Sequence, residues 1–529
     1  MIQANNQVPD RCDVVVIGAG AGGLTAAGLL SRVGLQTVVL ETQPQPGGYL
    51  AGFQRQGFQF NTSIQWLNQC GPGGFVYNIW RHLGGEFPTC APLTRIHRYK
   101  SDSFDYLLSS NPIDLQDCLI KDFPDDESGI RAFFKDGERL GQRLNVLNSR
   151  TMAKETMPFF ERVIRNLQML FWAIPVAKYV MSPVEKGLRR YFSTEGAQKI
   201  FCSQESFMSV MVPIAWAFAG NFQTCPKGGS RTLALWLCER IRSAGSKVLL
   251  NQHVERVLLN ARKEATGVLL ADGSSLRARY VIAACDVQML YEKMLPDGCI
   301  PVRMRKALHN ADIYHSSFSI FLGLDCDASS LGFGEEVLNL TRSDVSREDH
   351  MSGDPHRTIM VVIAPSVRDS SLAPEGKGTL MIHCPAYLDY EDNWRTGKGL
   401  ARGEPYRALK RKFADILLAR IEKTFAPGLR KHIEVMEIAT PVTYWRYTGN
   451  TKGSISGIKP TGRNIRISVA RYKTPVKNLL LGGHCAEYGG GVPMAVKAGA
   501  NASLIVMKDM KRAAYDELKD VINGVERHH

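Results

Sequence analysis

Two short, unbroken apolar runs, Val14–Ile17 and Thr37–Leu40, flank a segment in which Leu24, Ala26, Ala27, Leu29 and Leu30 recur at helical spacing. Such runs predict strands covered on both faces, and the spacing between them predicts a helix, so the stretch reads as a βαβ unit. Later segments continue the theme. Thr232–Ala244 predicts a helix, Ala271-Asp-Gly273 a turn between short strands, and Tyr280–Cys285 a strand. Asn478–Leu481 predicts another strand, and Pro493 suits the first turn of a helix expected to run to about Met507. Between these stretches the pattern changes. Ser316–Leu324, Thr358–Ala364 and Thr379–Cys384 are β-like, Ser343–Pro355 reads as an exposed charged loop, and Arg402–Thr424 as an amphipathic helix.

Two further segments are strongly apolar: Met157–Met181, with LQMLFWAIPVA at its centre, and Phe207–Phe222, FMSVMVPIAWAFAGNF. Pro175 and Pro213 interrupt them and neither holds 18 unbroken apolar residues, so no membrane-spanning helix is expected. Two readings fit. One is an anchor lying in the plane of a membrane, with Lys178, Lys186, Arg189 and Arg190 facing lipid phosphates. The other is a pair of core helices lining a hydrophobic substrate cavity.

The first βα turn carries the most specific chemistry. The strand at Val14–Ile17 enters Gly18-x-Gly20-x-x-Gly23, and the second strand ends on an acid, Glu41. Gly18 permits a tight turn, Gly20 lets backbone approach a pyrophosphate, and Gly23 lets helix and strand pack closely. Gly22 lies in the same loop. The helix start offers free N–H groups to phosphates, and Glu41 is placed to accept hydrogen bonds from a ribose. This is a dinucleotide site. Downstream, Pro46-Gly47-Gly48-Tyr49 replaces the further βα units of a nicotinamide domain, and a glycine pair suits a loop passing close to a second part of the same cofactor. FAD is therefore expected rather than NAD.

With these residues the chain resembles the FAD-dependent amine-oxidase superfamily, in the branch of phytoene desaturases, carotenoid cis–trans isomerases and retinol saturases. Pro226-Lys-Gly-Gly229 followed by Gly245 and Val254 is similar to the family's passage in which backbone at the valine contacts the adenine. Asn478–Pro493, with Gly482, Gly483, Gly489, Gly490, Gly491 and Val492, resembles its second flavin-contacting motif. A helix starting there would aim its positive end at the flavin and favour the anionic reduced ring. The passage Gly57–Trp66 departs from the family pattern: Asn61 stands in place of an aspartate, Ser63 of a glycine, and Gln65-Trp66 where retinol saturases carry a histidine and an aromatic. The direction of reaction is thus left open. Ala439–Gly457 resembles the segment leading to the flavin's re side, with Tyr444, Trp445 and Tyr447 as cavity walls.

The resemblance implies an α/β fold: a Rossmann-type FAD-binding domain assembled discontinuously from 1–100, 225–300 and 437–529, with 101–224 and 301–436 inserted as an α+β substrate or cap domain. At 529 residues, 44% of them apolar, the chain is long enough for such a core. Its 12 cysteines show no Cys-x-x-Cys pair, so neither a disulfide framework nor a metal site is expected. Met1–Arg11 lacks the apolar core of a signal peptide, and reducing, cytoplasmic surroundings follow. The net charge of +14 is dispersed and accompanied by no nucleic-acid module, and with the two apolar segments a membrane surface is the expected partner rather than nucleic acid.

No second Gly-x-Gly-x-x-Gly follows a strand, so no separate nicotinamide domain is expected, and no redox cysteine pair is present; the flavin itself is therefore the reactive group. His484, Glu487 and Tyr447 are the side chains singled out as candidates for catalysis, His484 and Glu487 as acid and base. The leading function is oxidoreduction or isomerisation of a hydrophobic polyene or isoprenoid lipid, with the protein at the membrane periphery. A flavin amine oxidase, with Lys452 or Lys459 near the flavin, and a non-catalytic prenyl-lipid escort are the alternatives.

Overall fold

The computed structural model describes residues 7–523, apart from 149, 150, 181, 202 and 205. Arg11–Ile17 is central to a seven-stranded sheet, pairing in parallel with Thr37–Leu40 on one edge and Ser275–Ala283 on the other. Lys247–Leu249 extends the first edge, also in parallel. The far edge of Ser275–Ala283 is shared: its last residues pair in parallel with Leu479–Leu481, and its first with the antiparallel hairpin Val254–Leu259 and Ala265–Leu270. Alternation along the opening strand sends Val14 and Val16 into one core and Val15 and Ile17 into another, all 4% exposed or less. A strand covered on both faces has no polar position, which is why it reads as a continuous apolar run.

Helices Ala21–Arg32, Arg231–Ser243 and Val492–Met510 cover one face of this sheet. Their approach is set by glycine. A Cβ on Gly23 would lie 2.1 Å from the Gly18 carbonyl oxygen, and one on Gly499 would lie 2.2 Å from that of Gly22. A Cβ on Gly22 itself would meet the Gly482 carbonyl oxygen at 2.4 Å. The first and last helices therefore touch backbone to backbone, and both touch the turn after Leu479–Leu481.

A second seven-stranded sheet runs in the order Ile433–Ala439, Ser316–Leu324, Gly378–Ala386, Met360–Ile363, Val337–Leu340, Arg95–Lys100, Asp105–Ser109. Its pairs are antiparallel except Val337–Leu340 with Arg95–Lys100. The sheet draws on the chain from residue 95 and up to 439, so it reaches past the inserted segments at both ends. Helix Glu404–Thr424 packs Phe413, Leu417 and Ile421 onto one face, over Phe318, Ile320 and Leu322. The other face carries Phe321, Ile363 and Met381 against Phe58 and Phe60 of the small hairpin Gly52–Arg55/Phe58–Asn61.

The two apolar segments between residues 157 and 222 part company. Helix Phe207–Phe218 is core: Phe207, Met211 and Ile214 are fully buried, and Glu127–Asn148 crosses it through Gly137 and Gly141. Helix Phe159–Val180 instead leaves Phe160 79%, Phe171 73% and Ile174 63% exposed. The charged stretch 343–355 contains one short helix, Arg347–Met351.

The Gly23 contact generates a test of this packing. Gly23→Ala is expected to cost about 1–3 kcal/mol through overpacking against fixed backbone and to lower the thermal-unfolding midpoint measured by circular dichroism. Gly462→Ala, where a Cβ meets nothing within 4 Å, is expected to leave that midpoint unchanged.

Candidate active site

A cavity of about 920 Å³ opens along the carboxyl ends of the parallel strands, where Ile17 and Leu40 finish, and continues to the inner face of the second sheet at Phe321. Crevices of this kind form where neighbouring connections leave a parallel sheet on opposite faces. Two glycine loops make its floor. Gly20 bridges to Gly47, whose N–H donates to the Ala19 carbonyl at 2.8 Å, and Gly48 would place a Cβ 3.3 Å from the Gly20 Cα. Gly47 has φ +119°, a conformation that the absence of a side chain makes accessible. A Cβ on Gly20 would meet nothing within 4 Å: its free side is the cavity itself.

Glu41 closes one end. Its carboxylate accepts from the Ala19 N–H at 2.7 Å and the Gln43 N–H at 2.9 Å, while burial pushes its pKa above the ordinary carboxylate value. A buried acid held at a strand end, beside the first turn of a helix and an open glycine, is the donor-and-acceptor set that a ribose and pyrophosphate require. At the other end the N-terminus of Val492–Met510 faces the cavity through Gly491, Val492 and Pro493. The residues present fit a dinucleotide carrying a second ring system.

Of the residues singled out from sequence, Gly18, Gly20, Gly22, Glu41, Gly47 and Gly48 line the cavity. Tyr49, Val254, Gly483, His484, Gly491 and Val492 do so too, as does Tyr447. Gly23, Gly482 and Gly490 lie behind the wall, where they let backbone pack: a Cβ on Gly482 would meet Ile282 at 2.5 Å, and one on Gly490 would meet Ser456 at 2.4 Å. Glu487 is also off the wall. Its carboxylate accepts from the Tyr472 hydroxyl and pairs with Lys497 at 3.0 Å, which commits it to a structural ion pair.

His484 stands in the wall with Nε2 3.4 Å from the Cys485 sulfur, and burial lowers its pKa, so the ring is neutral at pH 7. Tyr447 is 55% exposed beneath the Arg446 guanidinium, at the rim rather than in the interior. The buried tyrosine of the same helix, Pro441–Thr448, is Tyr444. Its ring lies 6.1 Å from Tyr49, and its hydroxyl meets Ser319 Oγ at 2.6 Å; Ser319 in turn meets His383 Nδ1 at 2.8 Å. Ser319 and His383 gave no signal in the sequence, because their pairing depends on strand register across the second sheet. Tyr49 is fixed by donating to the Ser454 carbonyl at 2.9 Å.

The departures at 57–66 have local explanations. Asn61 Oδ1 accepts from the Ser230 N–H at 2.9 Å and its hydroxyl at 3.1 Å, a role that a neutral acceptor fills as well as a carboxylate does. The buried Arg368 donates to the Gln65 and Glu335 carbonyls, pinning the turn at Gln65-Trp66. Away from the cavity, Asp325, Cys326 and His432 bring ligand-type atoms within 4.8 Å of one another on the surface. Their acid and imidazole already pair at 2.8 Å.

The model of the family described as flavin containing amine oxidoreductase matches residues 21–507. The chain is 27% identical to an all-trans-retinol 13,14-reductase of Danio rerio, covering 98% of this chain and 90% of that protein. It is 26% identical to a chloroplastic prolycopene isomerase 2 of an Oncidium hybrid cultivar, over 84% and 75% of the two chains. Among solved structures, an oxidoreductase from Methanosarcina mazei superposes with a TM-score of 0.58 at 18% identity, over 94% of this chain and all of that one, a likeness of fold. The chain belongs to the flavin containing amine oxidoreductases, and is an FAD-dependent oxidoreductase built on a Rossmann-type cofactor domain.

Proposed function

We propose that this chain rearranges carbon–carbon double bonds of a hydrophobic polyene or isoprenoid lipid, by desaturation, saturation or cis–trans isomerisation, through hydride exchange with FAD. The observation that carries this reading is the lining of the cavity beyond the cofactor crevice. Phe53, Phe321, Ile438, Tyr444, Trp445 and Ile455 bound that end. Among the described residues Lys293 is the one lysine on the wall, on the turn Leu290–Met294 that packs against the hairpin starting at Val254. Lys452 and Lys459 are not on it, which weighs against an amine oxidase that uses either of them. The reductase and isomerase relatives, whose names specify a retinoid and a carotene, support the same substrate class.

Bound FAD supplies a two-electron hydride acceptor or donor. The chain's part is to hold the two molecules face to face and exclude water, so that orientation and a low local dielectric do most of the work. In this reading Gly18, Gly20 and the start of helix Ala21–Arg32 hold the pyrophosphate, Glu41 the ribose, and Val254 the adenine. Gly47, Gly48, Tyr49, Gly483, Gly491 and Val492 meet the flavin half, while Gly22, Gly23, Gly482 and Gly490 let these segments close in. The cofactor domain is then 1–100, 225–300 and 437–529, and the substrate domain 101–224 and 301–436, sharing the second sheet at their boundaries. His484, neutral and in the wall, is the candidate for hydrogen bonding to the cofactor.

The same reading places the protein at the cytoplasmic periphery of a membrane. No helix of the described residues is long and apolar enough to cross one. Helix Phe159–Val180 turns Phe160, Ile164, Leu167, Phe171 and Ile174 outward at helical spacing, and Lys186, Arg189 and Arg190 are exposed just beyond it. That combination suits an anionic bilayer surface.

Three outcomes are expected. Anaerobic addition of prolycopene or all-trans-retinol to the purified flavoprotein, oxidised or dithionite-reduced, changes its visible flavin band or the polyene's isomer composition by chromatography; bleaching by primary amines and by no polyene overturns the proposal. Gly20→Val folds normally by circular dichroism yet purifies colourless, since its side chain fills the open space over the crevice. Phe160→Asp/Phe171→Asp lowers co-sedimentation with phosphatidylglycerol vesicles at least tenfold, because burying each ring contributes about 1.5–3 kcal/mol.

A further inference from the structure

We propose that Tyr444, Ser319 and His383 form a proton relay in the cavity wall, with the Tyr444 hydroxyl exchanging a proton with the substrate. The relay rests on the polyene reading above for its substrate, and on side-chain geometry for its existence. Helix Pro441–Thr448 is anchored by a reciprocal cap between Thr440 and Thr443, which sets Tyr444 one turn inside with its ring 6% exposed on the cavity wall. Its hydroxyl lies 2.6 Å from Ser319 Oγ and 3.3 Å from the Thr62 carbonyl. Ser319 faces His383 directly across the antiparallel pair Ser316–Leu324/Gly378–Ala386, so the two side chains share one face and meet at 2.8 Å.

The far end of the chain is what separates a relay from ordinary packing. His383 Nε2 is buried with no hydrogen-bond partner. Around it are the Phe321 ring, at 6.2 Å, and Val361 on the neighbouring strand, so an apolar side chain would fill the place at no polar cost. Burial holds the imidazole neutral, with a pKa lowered to about 4, and holds the Tyr444 phenol protonated. A neutral imidazole accepting at Nδ1 orders the whole chain: Tyr444 O–H donates to Ser319, Ser319 O–H donates to His383, and Nε2 keeps its hydrogen. All three groups are then polarised toward a base.

In the oxidative direction the substrate gives a hydride, with both bonding electrons, from one carbon to FAD. The neighbouring carbon loses a proton, and the electrons of that C–H bond form the new double bond. The Tyr444 oxygen receives the proton while its own moves to Ser319 Oγ and the serine proton moves to Nδ1. The substrate is oxidised by two electrons, both of which a bound FAD would accept, and the released proton rests on His383. Saturation runs the same sequence backwards, with the imidazolium as the proton source. Tyr444 is the catalytic residue; Ser319 and His383 are positioning residues that act through it.

Two variants and one spectroscopic measurement test this. Tyr444→Phe keeps the ring, and His383→Asn keeps an acceptor where Nδ1 stands but takes up no proton. Each is expected to lower kcat for saturation of all-trans-retinol by the dithionite-reduced protein by about 100-fold or more with KM changed less than about threefold. Both retain the wild-type flavin spectrum. Wild-type turnover in either variant overturns the relay. The measurement independent of turnover is nitrogen NMR of histidine-labelled holoprotein. The relay requires His383 with hydrogen on Nε2 and a bare Nδ1 whose signal moves in Ser319→Ala. Hydrogen on Nδ1 overturns it even where no polyene is turned over, whereas the expected tautomer with inactive wild-type protein faults only the choice of substrate.

Discussion

The arrangement of this molecule depends on a contact without side chains. Helix Ala21–Arg32 and helix Val492–Met510, separated by almost the whole sequence, meet where Gly22 and Gly499 present bare backbone to each other, with Gly482 closing the third side. A methyl group at any of these positions would press within 2.2–2.5 Å of neighbouring atoms. That approach brings the Gly18–Gly23 loop at one end of the chain and the Gly483–Val492 turn at the other onto a single crevice. Dispersion between close-packed backbone atoms is individually small, but Ser503 Oγ also donates to the Ala26 carbonyl across the same junction, and there is no room to slide. The register of one helix against the other is consequently tightly determined.

From that junction the second sheet follows. It has one face committed to helix Glu404–Thr424 and one turned toward the small hairpin and the cavity. Period-two alternation therefore divides its strands into a purely apolar side (Phe318, Ile320, Leu322) and a side on which Ser319 can sit beside Phe321. Polar groups on the second side pair with one another across neighbouring elements, Ser319 with His383 and Tyr444, Asn339 with His97, while Nε2 of each histidine is left without a partner. A cavity bounded by such a face is apolar in the main, with a few convergent polar atoms, which is the usual constitution of a site for a long hydrophobic ligand.

How much of this was legible in the sequence divides along contact range. The βαβ unit, Glu41, a strand expected at Tyr280–Cys285 and found at Ser275–Ala283, and the closing helix were readable, because each is fixed by local periodicity or by glycines at short spacing. The order of strands around the second sheet was not, since nothing local pairs Ser319 with His383 or brings Arg95–Lys100 beside Val337–Leu340. Tyr447 was as plausible a wall as Tyr444 until the helix phase was known: three positions apart, one faces the rim and the other the interior. Glu487 looked like an acid at the flavin because its partner Lys497, ten residues on, lies across a turn whose geometry only the fold supplies. The apolar segments at 157–181 and 207–222 have similar composition, and only tertiary packing decides that the second is core while the first shows its face to solvent.

No described residue of either segment lines the cavity, so the greasy outer helix and the cavity wall are separate surfaces. The cavity's rim is instead polar. Arg55 and Glu437 pair across it at 2.8 Å, with side chains 53% and 41% exposed, and Arg446 stands over Tyr447 nearby. A charged rim looks like a barrier to a hydrocarbon, but an exposed ion pair is worth only about 0–1 kcal/mol, so separating it is an inexpensive step. The Arg55 guanidinium also lies 5.5 Å over the Phe53 ring, which keeps its aliphatic stem against apolar surface. A chain passing this rim meets methylene groups before it meets charge, and then the rings of Phe53 and Phe321 on the cavity wall.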